Sequence, residues 1–519
     1  MRRLLILIVC LAYWCADASA QYSEQQQIQK LNYVYQQIRN NYVDDVPLDP
    51  LVEEAIKATL GELDPHSSYL DKEAMAAMDN RMRGEYAGIG IRYSKYRDTI
   101  IVRSTVDGSP ARRARVEIND RIISVNNQSV VGLSLDSVAS LFKGAPNSKV
   151  SFDIVRRGSG KVLKFTIKRQ VIESSAIDAH FRIGDVGYIS IGKFSKPASS
   201  EFLKAYNELG DIKSLVVDLR GNGGGALTSA IELTGLFLKK GDVIVSVEGR
   251  TSSIVYDNKR DGHIIDIPVV VIIDEDSASA SEIFAGAIQD HDRGVVIGHV
   301  SFGKGLVQRL IDLKDGTGIS LTIARYKTPS GRVIQRPYTM GERESYGRDT
   351  MRYLHPDSIA RDSSLMFKTL KRGRSVYGGG GITPDLYVVH ENSELSERVM
   401  NIGDLSAFVH VAIEIFDRAS PKSILDDYPT YVDFYNGFEL SKEYYELFYS
   451  MIDSKPQDFT EYDKHFFRAM IMAVLAQQLY DDCGKSYVYG LMFDKMMLEA
   501  LDIACSSQRY EQILEKGGK

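Results

Sequence analysis

A serine and a lysine carry the chemistry that can be read from this chain. Ser279 sits in Ser277-Ala278-Ser279-Ala280-Ser281-Glu282, and Lys304 follows in Phe302-Gly303-Lys304-Gly305. A serine hydroxyl is a weak nucleophile that needs a base to take its proton. Lysine can be that base when burial lowers its pKa from a reference of about 10.4, because desolvation disfavours the ammonium form. Phe302, Leu306, Val307 and Leu310 can supply apolar surroundings, and Gln308 can orient the amine without adding a charge that pins its proton. Each residue also has a plainer reading. Ser279 and Glu282 have the spacing of a capping box, which makes the serine the cap of a helix.

The elements around this pair decide between the readings. Residues 268–273 read as a continuous apolar strand, 274–276 as a polar turn and 277–289 as a helical segment, so Ser279 stands at a helix mouth, where negative charge is stabilised. A second buried strand, 214–219, runs into Arg220-Gly221-Asn222-Gly223-Gly224-Gly225 before a helix beginning near Ala226. Three glycines there expose N–H groups with little obstruction, so the turn can hold an anion. One candidate is a nucleotide phosphate, since Gly298 to Lys304 fits G-x4-G-K. The next residue is Gly305, however, where magnesium coordination requires Ser or Thr. The other candidate is the oxyanion of a tetrahedral acyl intermediate.

Competing active-site arrangements find less support. No G-x-S-x-G elbow occurs, and His291, with Asp290 and Asp292 beside it, reads as part of a solvated loop ending a helix. His299, the other histidine that a Ser-His-Asp triad could use, has no such motif around it either, and His66, beside Pro65 in a turn, reads as structural. H-E-x-x-H is absent, which removes the commonest metalloprotease signature.

Upstream lies a small mixed domain over 86–172, with short strands and one amphipathic helix over 135–142. Its Tyr86-Ala87-Gly88-Ile89-Gly90-Ile91 turn, Gly108-Ser109-Pro110-Ala111 and Asn119-Asp120 together resemble a PDZ domain of the bacterial kind. In that family the turn, here Gly88, Ile89, Gly90 and Ile91, offers N–H groups to a peptide's terminal carboxylate while the peptide adds as a strand to the sheet edge.

Taken with this domain, three segments are specific enough to suggest a family: Asp218-Leu219-Arg220-Gly221-Asn222-Gly223-Gly224-Gly225, Ser277 to Ile283, and Gly303-Lys304-Gly305-Leu306-Val307-Gln308. In order and spacing they resemble the carboxyl-terminal processing, or tail-specific, proteases, and the resemblance covers about residues 25–390. It implies a multidomain α/β fold: a helical N-terminal region (21–85), the PDZ-like domain (86–172), a crotonase/Clp-like α/β protease core (173–390) and a helical C-terminal region (391–519). It further implies Ser279 as nucleophile, Lys304 as general base, Gln308 as its positioning partner, and the N–H groups of Gly225 and Ala280 as the oxyanion hole. It implies that no metal or cofactor is required. The expected partners are protein or peptide substrates bound by their C-terminal regions. An inactive PDZ-containing scaffold is the alternative.

Composition and termini set the remaining bounds. Arg2 and Arg3 precede an apolar run ending near Trp14, and Ala18-Ser19-Ala20 offers a cleavage site, so residues 1–20 read as a signal peptide. Export is expected, to the periplasm in a bacterial host, and peripheral membrane association is compatible with it. No later stretch suits a transmembrane helix. With 63 basic and 69 acidic residues the charge is −6, which disfavours nucleic acid as a partner. Cys483 and Cys505 remain after signal removal and are candidates for a disulfide. The long, charged stretch 340–377 reads as a surface loop, and the family resemblance implies that the terminal helical regions can form the contacts of a homo-oligomer.

Overall fold

The computed structural model describes residues 25–157, 161–343, 346, 363–388, 394–400, 402, 406–480 and 490–516. The expected signal peptide, Cys483, and residues 344–345 and 347–362 lie outside the described residues. The chain forms two compact units. One is Met1–Asp71 with Leu310–Leu321 and Tyr338–Gly347; the other is Lys72–Arg309 with Thr322–Pro337 and Arg348–Lys519.

In the first unit a helix over 25–41 precedes the helix Leu48–Gly61. Two prolines mark the break between them. Pro47 is the residue before the second helix and Pro50 lies in its first turn, where a missing N–H costs nothing. The Asp64 carboxylate then organises the turn, accepting from His66 N at 2.9 Å, Ser67 N at 3.0 Å and Ser67 Oγ at 2.5 Å. His66 is structural, its Nε2 lying 3.2 Å from Tyr346 Oη. Ser68–Leu70 pairs antiparallel with residues 318–320.

The second unit begins with the helix Lys72–Arg83 and the small mixed domain. The strand order there is Ile91–Tyr96, Thr99–Thr105, Arg121–Val125, Lys149–Val155, Val162–Lys168. Alternate residues of Lys149–Val155 are buried, so Val150, Phe152 and Ile154 enter a core shared with Ile100, Val102 and Ile122. The helix Leu135–Phe142 has the bounds that its periodicity gives. Glu85–Gly88 pairs with Gln170–Glu173 and closes the domain's two ends together.

The α/β core is a six-stranded sheet in the order Ile177–Ile183, Val186–Ile191, Ser214–Asp218, Val269–Ile273, Val295–Gly298, Leu386–Tyr387. Only the first pair is antiparallel. The three strands from Ser214 to Gly298 are buried at every position, as parallel strands covered on both faces must be. One set of alternating residues, including Val217, Val271 and Ile273, meets Phe202, Leu233 and Phe284 from three helices. The opposite set, Val216, Val270 and Ile272, meets Met496, Met497, Ala500 and Ile503. The helix Lys495–Cys505 is therefore a layer of the core, although it falls within the expected separate helical region.

Three further C-terminal helices, Ser406–Arg418, Lys442–Met451 and Glu461–Tyr480, have their own core around Phe408, Phe448 and Phe467. The first of them carries Glu414 and Asp417 to the small domain, where Glu414 accepts from Tyr96 Oη at 2.7 Å and Asp417 pairs with Arg121. Cys505 is exposed and forms no disulfide among the described residues, which do not include Cys483.

Met497 is fully buried against the sheet. Met497→Ala is expected to lower unfolding stability by about 2–5 kcal/mol, through lost contact and the cavity left behind, as an earlier urea midpoint checks.

Candidate active site

Ser279 stands where the strand Val269–Ile273 turns into the helix Ala280–Asp290, and it is the helix's N-cap residue. Asp274 fixes the intervening turn by accepting from Ser277 N and Ser277 Oγ, both at 2.9 Å, and from Gly221 N. Ser279 itself has φ 57° and ψ −109°, a backbone that side chains other than glycine's adopt only under strain. Its neighbours Ala278 and Ala280 are buried while Ser279 is partly exposed, so the turn presents its hydroxyl to the surface.

The glycine turn is tied to this serine by Asn222. Its carbonyl accepts from Ala278 N at 3.0 Å and Ser281 Oγ at 2.8 Å, and its side-chain oxygen accepts from Gly224 N at 2.9 Å. Gly224 has φ +93°, and a Cβ there would lie 2.6 Å from Ala278 O and 2.9 Å from both Ala280 N and Ser279 Cβ, so no side chain fits. Phe194 donates to Gly224 O and accepts from Ala226 N, which directs the intervening Gly225 N–H away from Phe194. Among the described residues neither Gly225 N nor Ala280 N donates to a protein acceptor. Two unused donors thus lie in the segments that meet at Ser279.

Lys304 is half-buried, in the segment between the strands Val295–Gly298 and Leu306–Asp312. One carboxylate joins this segment to the serine. Glu282, fully buried in the first turn of the helix, accepts at one oxygen from Ser279 N (2.7 Å) and Lys304 N (2.9 Å). At its other oxygen it accepts from Ser301 Oγ (2.6 Å) and Gly303 N (2.7 Å). Burial pushes the Glu282 carboxyl up, and these four donors pull it back without cancelling the rise. A second tie is Tyr326, whose buried hydroxyl lies 3.1 Å from Ser279 O and 2.8 Å from Lys304 O. Ser301 Oγ also accepts from Ile382 N, which brings Gly381-Ile382-Thr383 into the same assembly.

The remaining expected residues fall in different places. Gln308 lies on Leu306–Asp312, and its amide donates to Thr322 Oγ1 at 3.4 Å. Gly88, Ile89 and Gly90 are buried in their own domain, where Ile89 O and Gly90 O accept from Ala111 N and Val106 N. Gly90 has φ +76° and lies too close to Ser109 for a Cβ. Ile91 begins the terminal strand of that sheet.

The loop at Asp290-His291-Asp292 is not solvated as expected. Asp290 forms a fully buried ion pair with Arg332 at 2.7 Å, Asp292 pairs with buried Arg374 at 2.6 Å, and His291 Nε2 lies 2.7 Å from Val243 O. Arginines from distant segments neutralise these carboxylates, a pairing that local polarity does not reveal. His291 follows the far end of the helix that Ser279 begins, about 18 Å away at 1.5 Å per residue. His299 holds Glu275 and Val388 O with its two ring nitrogens. The stretch 340–377 is likewise more than a surface loop. Arg374, beside the pair Met366–Lys368 and Ser375–Tyr377, also binds buried Asp385.

A partly exposed hydroxyl, an adjoining amine-bearing segment and two unused N–H groups can support nucleophilic attack on a carbonyl and hold the charge that develops on its oxygen. Sequence reading missed Glu282 as the joint between serine and lysine, because the capping-box spacing accounts for it fully. Tyr326 and Asn222 carried no signal beyond their place in a strand and a turn. Among the described residues no cluster of His, Cys, Asp and Glu could hold a metal ion.

The same segments recur in known proteins. Residues 185–341 match the family described as Peptidase family S41, residues 101–156 match the PDZ domain, and residues 14–74 match the activating protease CtpB N-terminal domain. A carboxy-terminal-processing protease of Bartonella bacilliformis is 36% identical over 318 residues, covering 60% of this chain and 73% of the relative. A probable CtpA-like serine protease of Staphylococcus aureus is 34% identical over 370 residues, covering 69% and 73%. A solved photosystem II D1 C-terminal processing protease aligns with a TM-score of 0.36 at 24% identity, over 68% of this chain and 86% of that one.

The joint at Glu282 can be tested by stability. In Glu282→Gln an amide NH2 replaces one acceptor; the Ser301 hydroxyl can turn to accept from it, but a buried main-chain N–H is left without a partner. The expected loss is about 1–3 kcal/mol, read from the denaturant midpoint. An unchanged midpoint contradicts the role given to this carboxylate.

Proposed function

The chain belongs to peptidase family S41, the carboxy-terminal-processing proteases, and on that premise we propose that Ser279 and Lys304 are the working groups of an exported serine endopeptidase. Ser279 Oγ attacks the carbonyl carbon of a peptide bond while Lys304 Nζ takes its proton. The oxyanion is held by Gly225 N and Ala280 N. Lys304 then gives the proton to the leaving amine, and water hydrolyses the acyl-enzyme to regenerate Ser279. The observation that carries this reading is the shared Glu282 carboxylate, which binds Ser279 N and Lys304 N at 2.7 and 2.9 Å. Gln308 is proposed to position the lysine.

Substrate proteins are proposed to enter by their C-terminal regions through the PDZ domain. The edge strand Ile91–Tyr96 beside the Gly88 to Ile91 turn is suited to strand addition. Export rests on the N-terminal signal pattern; among the described residues no helix is long and apolar enough to cross a membrane. Self-association is proposed on the helix over 25–41, where Ile28, Leu31, Tyr33 and Val34 are exposed.

Ser279→Ala and Lys304→Ala are each expected to reduce cleavage of an unfolded protein by about three orders of magnitude or more, with melting temperatures near the parent's. Wild-type activity is expected to persist in EDTA. Activity retained by either variant, or lost with the chelator, sinks the mechanism.

A further inference from the structure

A cleft of about 450 Å³ lies between the PDZ domain, the first strands of the protease core and the helix Glu461–Tyr480. Its lining takes in Arg92 and Tyr93 of the edge strand Ile91–Tyr96 but neither Gly88, Ile89, Gly90 and Ile91 nor the helix Leu135–Phe142, so it borders the proposed strand-addition site without including the turn expected to take a peptide terminus. Arg103, on Thr99–Thr105, lines it. This guanidinium has no hydrogen-bond or ion-pair partner among the described residues. Burial pushes the Arg103 guanidinium down. A half-buried cation without a counter-ion is an unfavourable arrangement for a protein to keep.

A second group in the same cleft is also unsatisfied. Gln478 is 3% exposed, and among the described residues its Nε2 has no acceptor. It comes from a different part of the chain, so two donors from separate domains converge on one space. Exposed Glu173 and Asp178 stand at the rim with exposed Arg92. Two rim carboxylates oppose a dianion such as phosphate but tolerate a single negative charge drawn inward by Arg103. The planar guanidinium matches a carboxylate through two parallel hydrogen bonds.

We infer that this cleft is a second peptide-binding site, in which Arg103 and Gln478 receive a peptide carboxylate, supplied by a chain terminus or by an acidic side chain. It goes beyond the Ser279–Lys304 reading and does not depend on it. One wall, Ser174, accepts from Lys193 Nζ at 2.6 Å, and Lys193 adjoins Phe194, which holds the glycine turn. A bound peptide would therefore lie within a few residues of the catalytic segments.

The test uses the full chain carrying Ser279→Ala and three apolar octapeptides bearing a benzophenone photo-crosslinker. One has a free C-terminus, one a C-terminal amide with an internal glutamate, and one an amide with no acid. Irradiation followed by peptide mapping is expected to place crosslinks on residues 103–106 or 477–478 for one or both acidic peptides, identifying the source of the carboxylate, and not for the neutral one. Arg103→Gln should weaken that labelling about tenfold, the worth of a charge-assisted hydrogen bond. Since it removes an unpaired charge, it should melt no lower than the parent; Gln478→Leu gives an independent loss of labelling should the arginine variant fail to fold. Crosslinks confined to residues 88–91 and 135–142, labelling by the neutral peptide as strong as by the acidic ones, or labelling unchanged in both variants overturns the proposal.

Discussion

The placement of one buried carboxylate governs this site. Glu282 is removed from water, which is unfavourable for a charge unless every lone pair finds a donor. Its four donors come from Ser279 and from the segment Ser301-Phe302-Gly303-Lys304. Because Glu282 is carried on the helix that Ser279 opens, satisfying it fixes the lysine segment against the nucleophile turn. The strained backbone at Ser279 is held by the same bond to its N–H, and Tyr326 adds a second crosspiece on the carbonyl side.

Other ion pairs hold the supports of this assembly. At the far end of the helix Ala280–Asp290, Asp290 is held by Arg332, and Asp292 and Asp385 by Arg374. These lock the segments after Lys304 back onto the sheet. Immediately before the glycine turn, Arg220 binds Asp218 at 2.6 Å and Asp494 at 2.8 Å. Burial pulls the Arg220 guanidinium down, and its two aspartates outweigh that and hold it above its usual range. Asp494 also caps the helix Lys495–Cys505, so the last layer of the sheet and the approach to the proposed oxyanion turn share one side chain. Positioning groups of this kind come from all along the chain, as a site on rigid elements requires.

Much of this was legible locally. Continuous apolar runs gave the buried parallel strands, short strands between turns gave the PDZ sheet, and glycines before a helix marked the turn that meets Ser279. The unreadable part is what long-range pairing decides. A buried aspartate in Asp290-His291-Asp292 looks the same as a solvated one until Arg332 and Arg374 are brought in from beyond the lysine. Glu282 was visible as a cap but not as a joint, since its partners at Ser301, Gly303 and Lys304 become neighbours only after folding. The helix around Met497 shows an apolar face, but only the sheet beneath it reveals that it belongs to the core.

The central claim is that Lys304 activates Ser279 within this assembly. Intact and peptide mass spectrometry after exposure to a serine-directed acylating probe tests it most directly. The account predicts one adduct, on Ser279, formed in the wild-type chain and strongly suppressed in a folded Lys304→Ala variant. Labelling at another residue, or equally fast labelling of Ser279 without the lysine, would contradict it.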